Sequence, residues 1–212
     1  MNKTAIYILV CFLFGSIASA QTPAVPSAPQ RYYQPVKIQC PAGAKIAFAA
    51  GGQFVERKTA PYAAGLLVGA DYRTKITNIP NEPGKEVFPT VKVIDRTYPP
   101  AGQALKFPIV IEITQEDIEL ALDGKFVTRV IYLEDPRKAL PVRGDTGSQL
   151  TTDIKSGDPI NQAAMLGIPV AVLYLGGRVP NSLQNDAVFF HGCPPWAEIT
   201  KTPAGRYEIA FH

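Results

Sequence analysis

Residues 107–113, FPIVIEI, carry the cleanest strand signature in the chain. Phe107, Ile109, Ile111 and Ile113 fall at every second position, which places all four side chains on one face of an extended backbone. A helix follows directly. Thr114 is placed to cap it, and Glu116 and Asp117 stand in its first turn, where the helix dipole favours carboxylates. Ile118, Ala121 and Leu122 recur at i, i+3 and i+4 as a buried stripe, and Gly124 closes the helix. The next run, residues 126–133 (FVTRVIYL), is β-branched and aromatic and reads as a second strand.

Working upstream, residues 36–40 and 45–49 are short strands, and Gly51-Gly52 is a turn. Residues 65–69 form a short apolar run. Residues 72–79 (YRTKITNI) and 86–95 flank the turn Asn81-Glu82-Pro83-Gly84, with Val87, Val91 and Val93 on one face, and predict a hairpin. Downstream, residues 158–166 predict a second helix with Asp158 as cap, Pro159 at its first position and Gly167 beyond its end. Residues 168–175 (IPVAVLYL) are apolar almost throughout, as in a strand buried on both faces. Residues 198–201 and 206–211 flank Thr202-Pro203-Ala204-Gly205 as a terminal hairpin packed through Ile199, Tyr207, Ile209 and Phe211.

Many short strands with turn signals between them predict a mainly β fold. The expected architecture is a β-sandwich, immunoglobulin-like or related, with two short helices near 115–122 and 158–166. The expected division is a β-rich domain at 36–142, a polar loop or linker at 143–157, and an α/β segment at 158–212 packed on the same domain.

The beginning of the chain predicts export. Lys3 precedes an apolar run at 6–14, and Ala18-Ser19-Ala20 fits a small-x-small cleavage site, with Gln21 as the first mature residue. The run is shorter than the ~20 apolar residues of a permanent membrane span, and no such span is expected in the mature chain. Cys11 lacks the small residue before it that a lipid anchor would need. Residues 1–20 thus read as a signal peptide and place the protein in the periplasm, at the cell surface or outside the cell. Residues 21–35 (QTPAVPSAPQRYYQP) read as a semi-rigid proline-rich arm, a spacer or a docking segment anchored by Tyr32 and Tyr33.

Lys and Arg number 21 against 18 Asp and Glu, a net charge of +3, and they are scattered. This balance excludes a nucleic-acid partner. Of the 3 cysteines, Cys40 and Cys193 remain after signal removal. In an oxidising compartment they predict one disulfide, with roughly 4–5 kcal/mol from closing so long a loop. The alternative is two unrelated buried thiols.

Chemistry-bearing residues are sparse. The only histidines are His191 and the terminal His212, which is not expected to be held. No G-x-S-x-G, H-E-x-x-H, C-x-x-C or glycine-rich phosphate motif occurs. The densest cluster is residues 189–196, FFHGCPPW. It supports a metal site using His191 and Cys193, a disulfide-anchored loop, or an aromatic surface centred on Trp196 for sugar or peptide. The anchored loop is preferred, and no metal or cofactor is expected. Glu116, Asp117 and Glu119 beside Glu112 are explained as helix charges rather than as a catalytic pair. Asp145, Asp153 and Asp158 do not have calcium-loop spacing, and the Arg143-Gly144-Asp145 tripeptide reads as coincidence.

Residues 96–136 (RTYPPAGQALKFPIVIEITQEDIELALDGKFVTRVIYLEDP) resemble exported bacterial proteins of uncharacterised function. The resemblance supplies no activity, fold or catalytic residues. The expected function is that of an exported, non-enzymatic module of the cell envelope that assembles with other envelope or surface proteins. Two alternatives follow from the residues. One is a glycan- or peptide-binding module using Trp196, Tyr32, Tyr33 and His191. The other is a hydrolase using His191 or Cys193.

Overall fold

The computed structural model describes residues 32–135, 137, 154, 157–181, 186–202 and 205–212. The expected signal peptide, most of the arm and nearly all of the 143–157 segment, with its RGD tripeptide, lie outside the described residues.

In chain order the elements are β1 (Tyr33–Gln39), β2 (Lys45–Ala50), β3 (Gln53–Phe54), β4 (Lys58–Thr59), β5 (Tyr62–Leu67), β6 (Asp71–Thr77) and β7 (Thr90–Val93). A 3-10 turn at Ala104–Lys106 leads to β8 (Ile109–Glu112), α1 (Gln115–Leu122) and β9 (Val127–Glu134). The chain continues with α2 (Pro159–Leu166), β10 (Gly167–Leu175), α3 (Ala187–Phe190), β11 (Trp196–Lys201) and β12 (Tyr207–Phe211). The fold is mainly β, as the alternation predicts.

One sheet has five strands in the order β12-β11-β5-β1-β8, with β1 and β8 parallel. The other has seven, in the order β3-β2-β6-β7-β10-β9 with β4 also on β2, and all its pairs are antiparallel. The inner faces share one core. Val36, Ile38, Leu66, Ile111 and Trp196 come from the five-stranded sheet, and Ile46, Phe48, Tyr72, Ile76, Val91 and Leu173 from the seven-stranded one. Each such side chain contributes about 1.5–3 kcal/mol by leaving water.

The described residues, from Tyr32 onward, belong to one compact unit. The C-terminal segment is woven into both sheets: β10 lies between β7 and β9, and β11 pairs with β5. Val170, Ala171, Val172 and Leu173 of β10 are fully buried, which accounts for the apolar run. Among the described residues, no helix is long and apolar enough to cross a membrane.

Four local expectations change. First, the sheet begins inside the proline-rich arm. Tyr33, Gln34 and Pro35 belong to β1, and Gln34 is fully buried. Its Oε1 accepts from Thr97 N–H at 3.0 Å and its Nε2 donates to the Pro35 carbonyl, so the amide's polarity is met inside the fold. Second, Asp117 is more than a helix-end charge. It completes a capping box with Thr114, and its carboxylate also receives Arg129 Nε and Nη2 at 2.8–3.0 Å while only 2 % exposed. The pair fastens α1 to β9.

Third, Gly167 does not end α2 in a left-handed turn. Its φ is −178°, and α2 passes straight into β10. Glycine is needed there because a Cβ would collide with the Leu133 carbonyl. Fourth, α3 lacks a periodic signature because it is a single turn. Asp186 caps it by accepting from Phe189 N–H at 2.9 Å.

Candidate functional site

Strand alternation determines what the outer face of the seven-stranded sheet carries. Tyr72 and Ile76 of β6 point into the core, so Arg73, Lys75 and Thr77 point away from it. On the neighbouring β2, Ile46 and Phe48 are core residues, and Lys45 stands opposite Thr77 on the outer face.

One end of this face is covered by α3. Phe189 and Phe190 pack with Ala49, Phe88 and Phe54 as a second apolar cluster, with Cys193 against it. Arg73 is the polar centre of that cluster and is 8 % exposed. Its Nε donates to the Phe189 carbonyl at 3.0 Å and its Nη1 to the Phe88 carbonyl at 2.9 Å. The guanidinium carbon lies 4.5 Å from the Phe189 ring centroid, a cation–π contact. Burial, with the nearby Arg178 acting in the same sense, lowers its pKa to about 10, so the group stays charged at neutral pH.

Arg73 Nη2 lies 3.1 Å from His191 Nε2. Since a guanidinium only donates, Nε2 accepts, and the proton of the neutral imidazole is assigned to Nδ1. Burial and then the Arg73 charge hold the His191 pKa below its ordinary 6.5, with Asp71 opposing them and Arg178 adding to them. His191, Gly192 and Cys193 all have positive φ, at 53°, 69° and 47°. This turn directs Cys193 Sγ to accept from Gly52 N–H at 3.2 Å. Tyr72 ties the same loop to the sheet by accepting from Leu67 N–H and donating to the Pro195 carbonyl, both at 2.8 Å.

His191 is therefore committed as an acceptor to a buried cation, and no described hydrogen bond links it to Cys193. The sign of its pH effect follows. The folded pKa lies below the unfolded one, so the folded state binds fewer protons. Stability is full above pH 6.5 and should fall as the pH drops through and below that value. Melting curves between pH 7.5 and 5 should show a downward slope in the wild type that is flatter in His191→Gln.

Beyond Arg73, the face opens into two adjoining hollows of about 390 and 540 Å³. Glu56, Arg57 and Glu86 line both, so they form one groove. Lys75 pairs with Glu86 at 2.6 Å and stands 5.9 and 5.8 Å from the Phe54 and Phe88 rings.

Of the residues singled out in the sequence, His191 and Cys193 reach this face, whereas Cys40, Trp196, Tyr32 and Tyr33 do not. The expected Cys40–Cys193 bridge is not made, and both thiols are free. Cys40 packs against the main core, where burial pushes its pKa up to about 12, whereas Cys193 belongs to the outer cluster. Trp196 is not a binding platform. It is 1 % exposed and lies between Phe48 and His212, stacked on both at centroid separations of 4.9 and 4.3 Å.

His212 is held after all. Its N–H donates to the Trp196 carbonyl at 2.8 Å, and its carbonyl accepts from Trp196 N–H. Tyr32 stacks under the Arg96 guanidinium at 5.3 Å, which also lies 4.5 Å from the Tyr98 ring. Tyr33 instead meets Phe211 edge-on at 5.3 Å. Tyr32, Tyr33 and Trp196 thus serve three separate contacts.

Among the described residues, no group of three His, Cys, Asp or Glu side chains could hold a metal ion. Sequence reasoning missed Arg73, Lys45 and Arg57. The alternation of residues 72–77 places Arg73 with Lys75 and Thr77, but nothing local shows that α3 covers the first of them.

No protein-family model, curated protein or solved structure matches the chain.

Proposed function

We propose that the protein is an exported, non-enzymatic module of the cell envelope that docks onto other envelope or surface proteins by accepting a strand of the partner. The observation that carries this reading is β12. It is the last strand of the five-stranded sheet, paired on one side only with β11. All its residues are exposed, and Tyr207, Ile209 and Phe211 share one face, with Ile209 and Phe211 50 % and 68 % exposed.

Such an edge presents free backbone N–H and C=O groups to a further strand. Folded proteins commonly guard open edges with lysine, proline or a bulge. β12 (YEIAF) has none of these and carries one charge, Glu208. The apolar stripe continues inward, since Ile199 lies opposite Ile209 and Ala197 opposite Phe211. Pairing would therefore bury side chains as well as backbone. Export rests on the features of residues 1–20. The glycan-binding alternative loses its central aromatic with the burial of Trp196.

The test is photocrosslinking in the native cell from a benzoylphenylalanine placed at Ile209. The expected result is a defined link to an extended segment of an envelope protein, abolished by a second-site Tyr207→Lys change. A surface substitution of this kind should alter stability by no more than ~0.5 kcal/mol. No link, or links equally abundant from the remote exposed position Lys106, would overturn the reading.

A further inference from the structure

The groove on the outer face of the seven-stranded sheet is separate from the β12 edge and does not depend on the reading given to that edge. We propose that it is a binding site for a carboxylate-bearing ligand, centred on Lys45, Arg57 and Thr77.

Three observations converge. The first concerns which charges are already paired. Lys75 meets Glu86 at 2.6 Å, Lys58 meets Glu56 at 3.2 Å and Lys85 meets Glu82 at 2.7 Å. The two carboxylates that line the groove thus have cationic partners. Lys45 and Arg57 line it too, and neither has an ion pair among the described residues. Two uncommitted cations therefore line one concave surface, the arrangement that receives an anion.

The second observation is Thr77. It lines the same hollow and pairs in register with Lys45 across β2 and β6. It is 4 % exposed, and its hydroxyl is shut off from solvent without a hydrogen-bond partner among the described residues. A buried hydroxyl without a partner is uncommon, because removing it from water leaves its hydrogen bonds unmade. A ligand oxygen seated beside Lys45 would provide the acceptor.

The third observation is Asn78. It is held at φ 54° and donates through Nδ2 to the Gly43 carbonyl at 2.7 Å. This fixes the amide at the rim and leaves its Oδ1 able to accept from a donor next to the ligand's carboxylate.

The same geometry selects among anions. Glu56 and Glu86 are already paired with Lys58 and Lys75, so the selection falls to Asn78 Oδ1, which favours an anion with a donor beside its charged group over bare phosphate. A carboxylate with an adjacent N–H or O–H occurs both in an acidic peptide and in a sugar acid.

The experiment is a titration of the isotopically labelled protein followed by amide chemical shifts. The probes are acetylated triglutamate, trigalacturonate, neutral acetylated triglutamine and inorganic phosphate. The expected result is saturable, salt-sensitive movement of the Lys45, Arg57, Thr77 and Asn78 amides with one carboxylate probe. Response to triglutamate assigns the site to acidic peptide, and response to trigalacturonate assigns it to sugar acid. Affinity should fall tenfold or more in Lys45→Gln and in Arg57→Gln. Both positions are exposed, so the fold should persist.

Thr77→Val keeps the shape of the side chain and removes the orphaned hydroxyl. It should weaken binding several-fold without lowering the melting temperature, an effect that a purely structural threonine would not give. The proposal is overturned if neither carboxylate probe gives saturable shifts, or if triglutamine matches triglutamate. Phosphate binding as tightly as the carboxylates, or indifference to the Lys45 and Arg57 substitutions, would overturn it equally.

Discussion

Replacing Trp196 by alanine should lower the melting temperature by roughly 6–20 °C. The side chain is 1 % exposed and fills the space between Phe48 and His212, with Tyr62 edge-on at 6.4 Å. Truncating a buried aromatic to alanine costs about 3–5 kcal/mol through lost transfer energy and the cavity left behind. For a chain of this size each kcal/mol shifts the midpoint by about 2–4 °C. The loss should spread, because His212 and β12 are anchored through the same residue.

Trp196→Phe separates packing from polarity. The indole Nε1 is buried without a hydrogen-bond partner among the described residues, so phenylalanine removes an unmet donor along with some volume. It should cost clearly less than alanine. Calorimetry on both variants provides the check. An unchanged midpoint in Trp196→Ala would return the side chain to the surface and reopen the aromatic-platform reading.

The second large effect is expected at Arg73. Arg73→Met preserves much of the stem and removes every donor, leaving the Phe88 and Phe189 carbonyls and His191 Nε2 without their present partner. Each buried polar group left unsatisfied costs about 1–3 kcal/mol, so the two buried carbonyls together imply a loss of about 2–6 kcal/mol. The consequence should be local as well as global. α3 is one turn long and is clamped to β6 chiefly by this side chain, so the loop carrying Cys193 should loosen.

Cys193 should then react faster with an alkylating reagent in Arg73→Met, while Cys40, packed against the main core, keeps its wild-type rate. Peptide-resolved mass spectrometry separates the two thiols. Arg73→Lys should recover only part of the effect, since an ammonium cannot reproduce the planar fork that serves several acceptors at once. Equal Cys193 rates in wild type and Arg73→Met would show that the clamp lies elsewhere.

The helix α1 shows how far local chemistry can be read. Thr114, Ile118, Ala121 and Gly124 act in the structure as their spacing predicts, because capping and amphipathic periodicity involve only neighbours within two turns. The β6–β7 and β11–β12 pairings are legible for the same reason: alternation and turn residues are short-range signals. Of the residues expected to pack the terminal hairpin, however, only Ile199 is buried, while Tyr207, Ile209 and Phe211 are exposed because β12 lies at the sheet edge. Gln34 is the counter-example. A polar residue among prolines gives no sign of burial, because its partner Thr97 is far along the chain. Asp117 is a partial success, since its capping role is local and its ion pair to Arg129 depends on how α1 lies against β9.

The candidate sites were hidden in a similar way. Lys45, Arg57 and Thr77 are ordinary surface and strand residues until β2 and β6 pair and the segment before β4 folds beside them. The sequence drew attention instead to residues 189–196, where uncommon residue types are concentrated. The structure assigns Trp196 to the core and His191 to the Arg73 clamp, and it leaves the cysteines in different clusters.

By itself the sequence determined that the chain is mainly β, where most strands, both longer helices and the principal turns fall, and which faces are apolar. These follow from periodicities of two and 3.6 residues and from backbone preferences acting within a few positions. Only the tertiary structure decided the strand order, the parallel pairing of β1 with β8, the open edge at β12 and the set of charges that remain unpaired in the groove. Each of these depends on contacts between distant segments, where burial and the competition among partners outweigh any local preference.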